Sequence, residues 1–163
     1  MTDQFIKFYK AENAKSVVDF GCGRCEYIGN IKKAGFDAQG YDGNPYTPQI
    51  SNGVAGVLDL TEKQDLGRKY DWVQSLEVGE HIPLDKTATY VDNLARHAEK
   101  GIVISWAVIG QGGFYHVNMK SNADVIAMFK PYGFQYDSKA ASQFRTLPDV
   151  LWFQNSLVVL RKM

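Results

Sequence analysis

The stretch Ser16-Val17-Val18-Asp19-Phe20-Gly21-Cys22-Gly23-Arg24-Cys25-Glu26 decides how the rest of the chain is read. Its first five residues carry Val17, Val18 and Phe20, a short β-branched and aromatic run of the kind that fits a strand. Gly21 and Gly23 follow, residues that permit a tight turn and let a ligand approach the backbone closely. A helix is then expected from about Cys25 to Ala34. Tyr27, Ile28 and Ile31 form its apolar stripe, and Gly35 is placed to stop it. Strand, glycine turn and helix in that order open a sheet in which strands and helices alternate.

Outward from this unit the alternation continues. Strands are expected at Asp37 to Asp42, closed by Gly43-Asn44-Pro45, at Val54 to Asp59 and at Asp71 to Leu76. A helix is expected from Asp85, as its cap, to Lys100, with Gly101 ending it and Tyr90, Val91 and Leu94 on its buried face. Ile102 to Ala107 is a continuous apolar run, as in a central parallel strand buried on both faces. Ser121 caps a further helix to about Tyr132, stopped by Gly133. Two strands complete the pattern, Phe134 to Ser138 and about Gln154 to Arg161, and the loop between them, with Pro148, is expected to hold no regular element. The fold class is α/β, a doubly wound Rossmann-like sheet in a single domain over residues 1–163. In such sheets ligands bind beyond the carboxyl ends of the strands, where the winding reverses.

Composition narrows the function. A chain of 163 residues can bury a core of ordinary size, roughly 70% of its unfolded surface. Eighteen basic residues balance eighteen acidic ones, so net charge does not indicate nucleic acid as a partner. Charges interrupt Met1 to Lys15, which excludes a signal peptide there, and no apolar run is long enough to span a bilayer. With only Cys22 and Cys25 there is no disulfide framework, and a reducing cytoplasm is the expected compartment.

The glycine turn is best explained by its acids. A dinucleotide fingerprint wants a third glycine where Glu26 stands, and it seats a pyrophosphate at the helix N-terminus, where Glu26 would repel it. A phosphate-free ligand with cationic groups meets no such objection, and S-adenosylmethionine, with its sulfonium and ammonium, is one. Asp42 ends the second strand 21 residues after Gly21, close to the spacing of acids that grip ribose hydroxyls. Asp59 ends the third strand, placed to accept from an exocyclic adenine amine with Leu58 and Leu60 flanking the ring. Singly, each acid reads equally well as a cap or turn residue. Cys22-x-x-Cys25 also fits a redox dithiol, but that reading leaves both glycines and Asp19 unexplained, and a zinc site would need a second pair.

VVDFGCGRCEY, GYDGNP, VLDL and YDWVQSLEVGEHIP, in that order, resemble the successive motifs of class I S-adenosylmethionine-dependent methyltransferases. The resemblance implies a seven-stranded, mostly parallel sheet whose last strand is antiparallel. It implies a cofactor site in which Asp19, Phe20, Gly21, Cys22 and Gly23 hold the methionine part. Asp42, Gly43 and Asn44 would take the ribose, and Asp59 and Leu60 the adenine. Glu77, after the fourth strand, would face the cofactor.

Acceptor chemistry is expected from Leu76-Glu77-Val78-Gly79-Glu80-His81. Three readings compete. Glu77 faces the cofactor; or His81, with Glu80, serves as a base toward an acceptor hydroxyl; or Glu77, Glu80, His81 and His116 hold a divalent metal. The E-x-x-E-H spacing is similar to that of small-RNA 2′-O-methyltransferases and some ubiquinone-pathway O-methyltransferases, where it binds magnesium or a similar ion. Backbone-bonded structural roles compete with all three. The glycine-rich segment Ser105 to Asn118 is expected to close over an acceptor pocket walled by Trp106, Phe114, Tyr115 and His116, whereas His97, on the helix, is expected at the surface. The activity so implied is methyl transfer to an unidentified, small-molecule acceptor. A metal-assisted O-methyltransferase acting on RNA or a small hydroxyl compound, and a cofactor-binding partner subunit without chemistry, are the alternatives. The acceptor and the oligomeric state are not legible.

Overall fold

The computed structural model describes residues 1–146 and 150–163. The elements in chain order are α1 (Thr2–Ala11), β1 (Ser16–Phe20), α2 (Glu26–Lys33), β2 (Asp37–Asp42), α3 (Thr47–Ile50), β3 (Ala55–Val57) and β4 (Tyr70–Leu76). They continue with α4 (Thr87–His97), β5 (Ala98–Ser105), α5 (Asn122–Phe129), β6 (Phe134–Tyr136), α6 (Ser138–Arg145), α7 (Leu151–Ser156) and β7 (Leu157–Lys162).

All seven strands form one sheet in the order β3-β2-β1-β4-β5-β7-β6. The first five strands pair in parallel, and β7 enters antiparallel between β5 and β6. The chain winds from β1 out to β3, returns to β4, and winds the other way. That reversal splays the crossovers apart beyond the tips of β1 and β4 and opens a crevice there. The register sets Asp19 beside Gln74 across β1 and β4. The class I arrangement is therefore present, antiparallel last strand included.

Each face of the sheet carries a core. On one, Phe5, Phe8 and Tyr9 of α1 pack with Ile28 and Ile31 of α2, Trp72, and Phe144 and Phe153 of α6 and α7. Phe8 meets Trp72 edge-on with ring centroids 4.8 Å apart, and Phe144 at 5.3 Å. On the other, Tyr90, Val91 and Leu94 of α4 pack with Val125 and Phe129 of α5. Full burial of such side chains contributes about 1.5–3 kcal/mol each.

Several expectations are corrected. The sequence reading assigns no element to Met1 to Lys15, yet α1 forms there, because Phe5, Phe8 and Tyr9 recur at helical spacing and help to cover the sheet face on which α2, α6 and α7 also pack. Asp85 lies in a 3₁₀ turn and caps nothing: α4 starts at Thr87 without a side-chain cap. Nor does Gly101 end that helix. The chain passes straight from His97 into β5, and Gly101 sits inside the strand, where a Cβ would lie 2.4 Å from the Trp72 ring. The segment after β6 holds α6 and α7 instead of a plain loop, and α7 takes residues expected at the start of the last strand; Pro148 itself lies outside the described residues. His97 is not at the surface. It is buried, and its Nε2 accepts from the Leu66 amide at 3.1 Å, so Nδ1 carries the proton donated to the Asn93 carbonyl at 2.7 Å. Ser121 does cap α5, its hydroxyl accepting from the Asp124 amide, and Gly133 (φ +79°) ends the 3₁₀ turn that follows it. Among the described residues no helix is long and apolar enough to cross a membrane.

Candidate active site

At the tip of β1 the turn is fixed by its neighbours. Gly21 has φ +80°, and a Cβ there would stand 2.3 Å from a Val78 methyl, so both backbone angle and space exclude a side chain. The amides of Gly21 and Cys22 both donate to the Tyr41 carbonyl on β2, at 2.7 and 3.0 Å. One Asp42 oxygen accepts from the Gly23 amide at 2.8 Å and the other from the Asn44 amide at 2.9 Å, which sets the carboxylate's plane before any ligand arrives. Asp59 accepts from the hydroxyl and the amide of Thr61 at 2.7 and 2.8 Å, and these bonds hold its carboxyl below the usual carboxylate range. The loop carrying Asp59 and Leu60 is tied down from α4: Asn93 donates to the Leu60 and Glu62 carbonyls and accepts from the Gln64 amide.

These tips enclose a cleft of about 410 Å³. Of the cofactor residues read from the sequence, Gly21, Gly23, Asp42, Gly43, Leu58, Asp59, Leu60 and Glu77 line it, and so does His81. Four do not. Phe20 is buried against Tyr41 and His97. The Cys22 sulfur points toward Gly40. Asn44 closes its own turn by accepting from the Tyr46 amide. Asp19 is buried on β1, where Gln74, itself held by the Tyr9 hydroxyl, donates to it at 2.9 Å. Burial pushes the Asp19 carboxyl up to about 7, against the Gln74 hydrogen bond and with help from the Asp42 charge.

Beyond β4 lies a second set of groups. Glu77 adopts φ +53°, a left-handed conformation unusual outside glycine, at the wall between the first cleft and a second of about 790 Å³. Its carboxylate accepts from Gln111 at 2.6 Å and from the Ser156 hydroxyl at 3.0 Å. Glu80 is fully buried, and no well-formed hydrogen bond reaches either of its carboxylate oxygens among the described residues, although its own amide and that of Ala107 lie near enough to favour the ionised form. Burial is the main force that pushes its carboxyl up to about 7; its own amide is the first to oppose it, the Glu77 charge adds to it, and the Ala107 amide opposes it in turn. His116 Nε2 stands 3.9 Å from a Glu80 oxygen, and ligand atoms of Glu80, His81 and His116 all lie within 4.8 Å of one another. The glycine-rich segment after β5 is pinned where it delivers His116. The Val117 and Asn118 amides donate to the Glu80 carbonyl at 2.9 and 3.0 Å, and a Cβ on Gly113 would fall 2.0 Å from the His116 ring.

A cleft of this kind, with acids from three successive strand tips and no phosphate-binding third glycine, suits a cationic nucleoside. Residues 2–109 match a family described as a methyltransferase domain. The chain belongs to that family. Its methyl donor is S-adenosylmethionine. No match is found among curated protein sequences. Among solved structures, this methyltransferase resembles the magnesium protoporphyrin IX methyltransferase of Synechocystis PCC 6803 with S-adenosylhomocysteine bound: TM-score 0.76, 20% identity, 99% of this chain and 82% of that one covered. An amino pentose methyltransferase from Micromonospora echinaspora gives 0.76 and 13%, over 99% and 90%. The methyltransferase domain of a bacterial CtHen1 gives 0.70 and 14%, over 99% and 96%. At such identities these likenesses speak for the fold.

The sequence reading missed three contributors to the methyltransferase's second cleft. Leu151, Trp152 and Asn155 line it from α7. Ser156, which holds Glu77, comes from the same helix. The signal available was slight: an aromatic pair followed by polar residues, inside a stretch taken as loop and strand.

Proposed function

We propose that this methyltransferase passes its methyl group to a hydroxyl of a small, uncharged acceptor, with a divalent cation held by Glu80, His81 and His116 and with Glu77 beside them. The observation that carries this reading is the Glu80 carboxylate, buried without a well-formed hydrogen bond among the described residues and with two imidazoles in ligand reach. A buried carboxylate without partners is destabilising by several kcal/mol unless something compensates it. Two imidazoles and a carboxylate make a donor set suited to a borderline or hard divalent ion. A cation there would lower the pKa of a bound hydroxyl and so ready its oxygen for attack.

The chain's own residues supply the geometry. Methyl transfer from a sulfonium is an in-line displacement, so holding nucleophile, methyl and sulfur collinear is the main contribution. Asp42 and Asp59 fix the nucleoside in the first cleft, and the second opens on the other side of Glu77. A hydroxyl bound in the second cleft beside His116 faces the first past Glu77 and His81. Among the described residues no lysine or arginine lines that second cleft, which favours an uncharged acceptor over a phosphorylated one.

Thermal-shift titration with magnesium, manganese and zinc, with and without S-adenosylmethionine, tests the cation. A rise in Tm with at least one cation that is lost in Glu80→Ala supports the reading. Full turnover in the presence of a chelator would end it and return His81 to the role of base. Cofactor binding without methyl transfer across hydroxyl, amine and thiol acceptors would instead mark a binding subunit.

A further inference from the structure

We infer that Cys22 and Cys25 are a redox modification site: they join as an internal disulfide that locks the cofactor turn in its binding-ready shape. Methyl transfer uses neither sulfur, and this inference does not depend on the proposed cation or acceptor.

Four observations place the pair. The two sulfurs lie 2.6 Å apart, only about half an ångström beyond a covalent S–S bond of ~2.05 Å. The backbone between them is already closed, because the Cys25 amide donates to the Cys22 carbonyl at 2.7 Å. Cys25 adopts φ +63° at the head of α2, a left-handed conformation that this tight closure imposes on a non-glycine residue. Gly40 on β2 makes room for the Cys22 sulfur: a Cβ there would sit 2.9 Å from it. That same Cβ would also meet Ile28 at 3.0 Å and Ala55 at 3.1 Å, so only glycine leaves the sulfur its space. Bond formation therefore needs a small approach of two atoms that packing already holds together.

The same turn carries the Gly23 amide that orients Asp42, so a covalent link across residues 22–25 acts directly on the cofactor cleft. Cys22 is partly exposed and Cys25 buried, which fixes the order of events. The oxidant is a low-molecular-weight disulfide. The Cys22 thiol loses its proton and attacks one sulfur of that disulfide, releasing one small thiol and leaving a mixed disulfide. Cys25, deprotonated in turn, displaces the second small thiol and forms the internal bond. Two protein thiols give up two electrons and two protons, and the small disulfide becomes two thiols. Burial and the Asp19 and Asp42 charges hold both protein thiols in the protonated form, so exchange is slow near neutrality and faster in mild alkali.

The test uses the whole chain, incubated in mild alkali with glutathione disulfide or with a phosphine reductant. Thiols are then counted after denaturation, intact mass is measured, and S-adenosylhomocysteine binding is followed by calorimetry. The expected oxidised species is monomeric, lacks both thiols, is lighter by two hydrogens, melts higher, and binds S-adenosylhomocysteine at least as tightly as the reduced protein. Cys25→Ser should stop at a single glutathione adduct on Cys22. A glutathione adduct that persists on the unsubstituted chain overturns the inference, as do a disulfide-linked dimer and thiols that react only after unfolding. Binding weakened more than about threefold by oxidation, roughly 0.65 kcal/mol, removes the locking role.

Discussion

The two clefts that meet at Glu77 are built on opposite rules. On the cofactor side, Asp42 accepts one hydrogen bond from its own loop and one from the Gly23 amide in the turn after β1, Asp59 accepts two from its own loop, and the Gly21 and Cys22 amides share the Tyr41 carbonyl. The groups that would grip the nucleoside are satisfied before it binds. On the side of the second cleft, the Glu80 carboxylate is buried without a well-formed hydrogen bond among the described residues, His81 and His116 stand near without closing the gap, and Glu77 holds a left-handed backbone. Preorganisation lowers the ordering needed on binding. An unsatisfied buried charge does the reverse and leaves the apoprotein waiting for a compensating ligand. Half of the site is a finished mould, and the other half is under electrostatic load.

Four outcomes would break or sharpen this contrast. The largest effect is expected on the finished side. Gly21→Val forces a side chain into both a left-handed backbone and the Val78 methyls, about 3 kcal/mol in all, read as ~100-fold weaker cofactor binding by calorimetry or as an equivalent loss of stability. Next comes the loaded side. Glu80→Gln should stabilise the metal-free protein by about 1–3 kcal/mol at pH 8 in denaturant titration while removing any cation-induced shift in Tm. A destabilised Glu80→Gln protein would mean that the load is not there.

The third outcome concerns pH and sits between the two sides. Asp19 is raised to about 7 in the fold from an ordinary value near 3.8, so the native state holds the extra proton and apoprotein stability falls as pH climbs from about 4 to about 7. Ionised Asp19 favours a cationic ligand. S-adenosylmethionine affinity should therefore rise by up to about tenfold per unit below pH 7 and level off above it, a dependence that Asp19→Asn flattens. The smallest effect is on the clamp of Glu77. Ser156→Ala removes one hydrogen bond of about 1 kcal/mol and should lower kcat/KM about fivefold.

The cofactor side was also the more legible one. Asp19-Phe20-Gly21-Cys22-Gly23 could be read because its parts are local: the strand, the turn and the helix start all lie within eleven residues, and the glycines report backbone geometry directly. Asp42 followed from its place at the end of β2; Asp59, expected at the end of the third strand, stands in the loop two residues past β3. Even so, periodicity could not tell which of these residues face the cleft. Phe20 and Asp19 turn into the core because β1 is covered on both faces, and that depends on α1 and α4.

The misreadings share one cause. His97 looked like a surface residue because its helical neighbours are polar, but its partners Leu66 and Asn93 come from a distant loop and from its own helix, and together they bury it. α7 was unreadable because a six-residue helix is stabilised by packing Phe153 into the sheet-face core, with little contribution from propensity. Gly101 passed for a helix stop when its real constraint is the Trp72 ring.

Residue order alone settled the alternation of strands and helices, the glycine turn, and the acids at successive strand tips, since each depends on spacing along the chain. Folding settled which of those groups are satisfied and which are left bare. Glu80 and His116 are 36 residues apart in the chain, and only the return of the segment after β5 onto the Glu80 carbonyl brings them to 3.9 Å. Whether a buried charge has a partner depends on contacts between remote segments, and no local pattern encodes that.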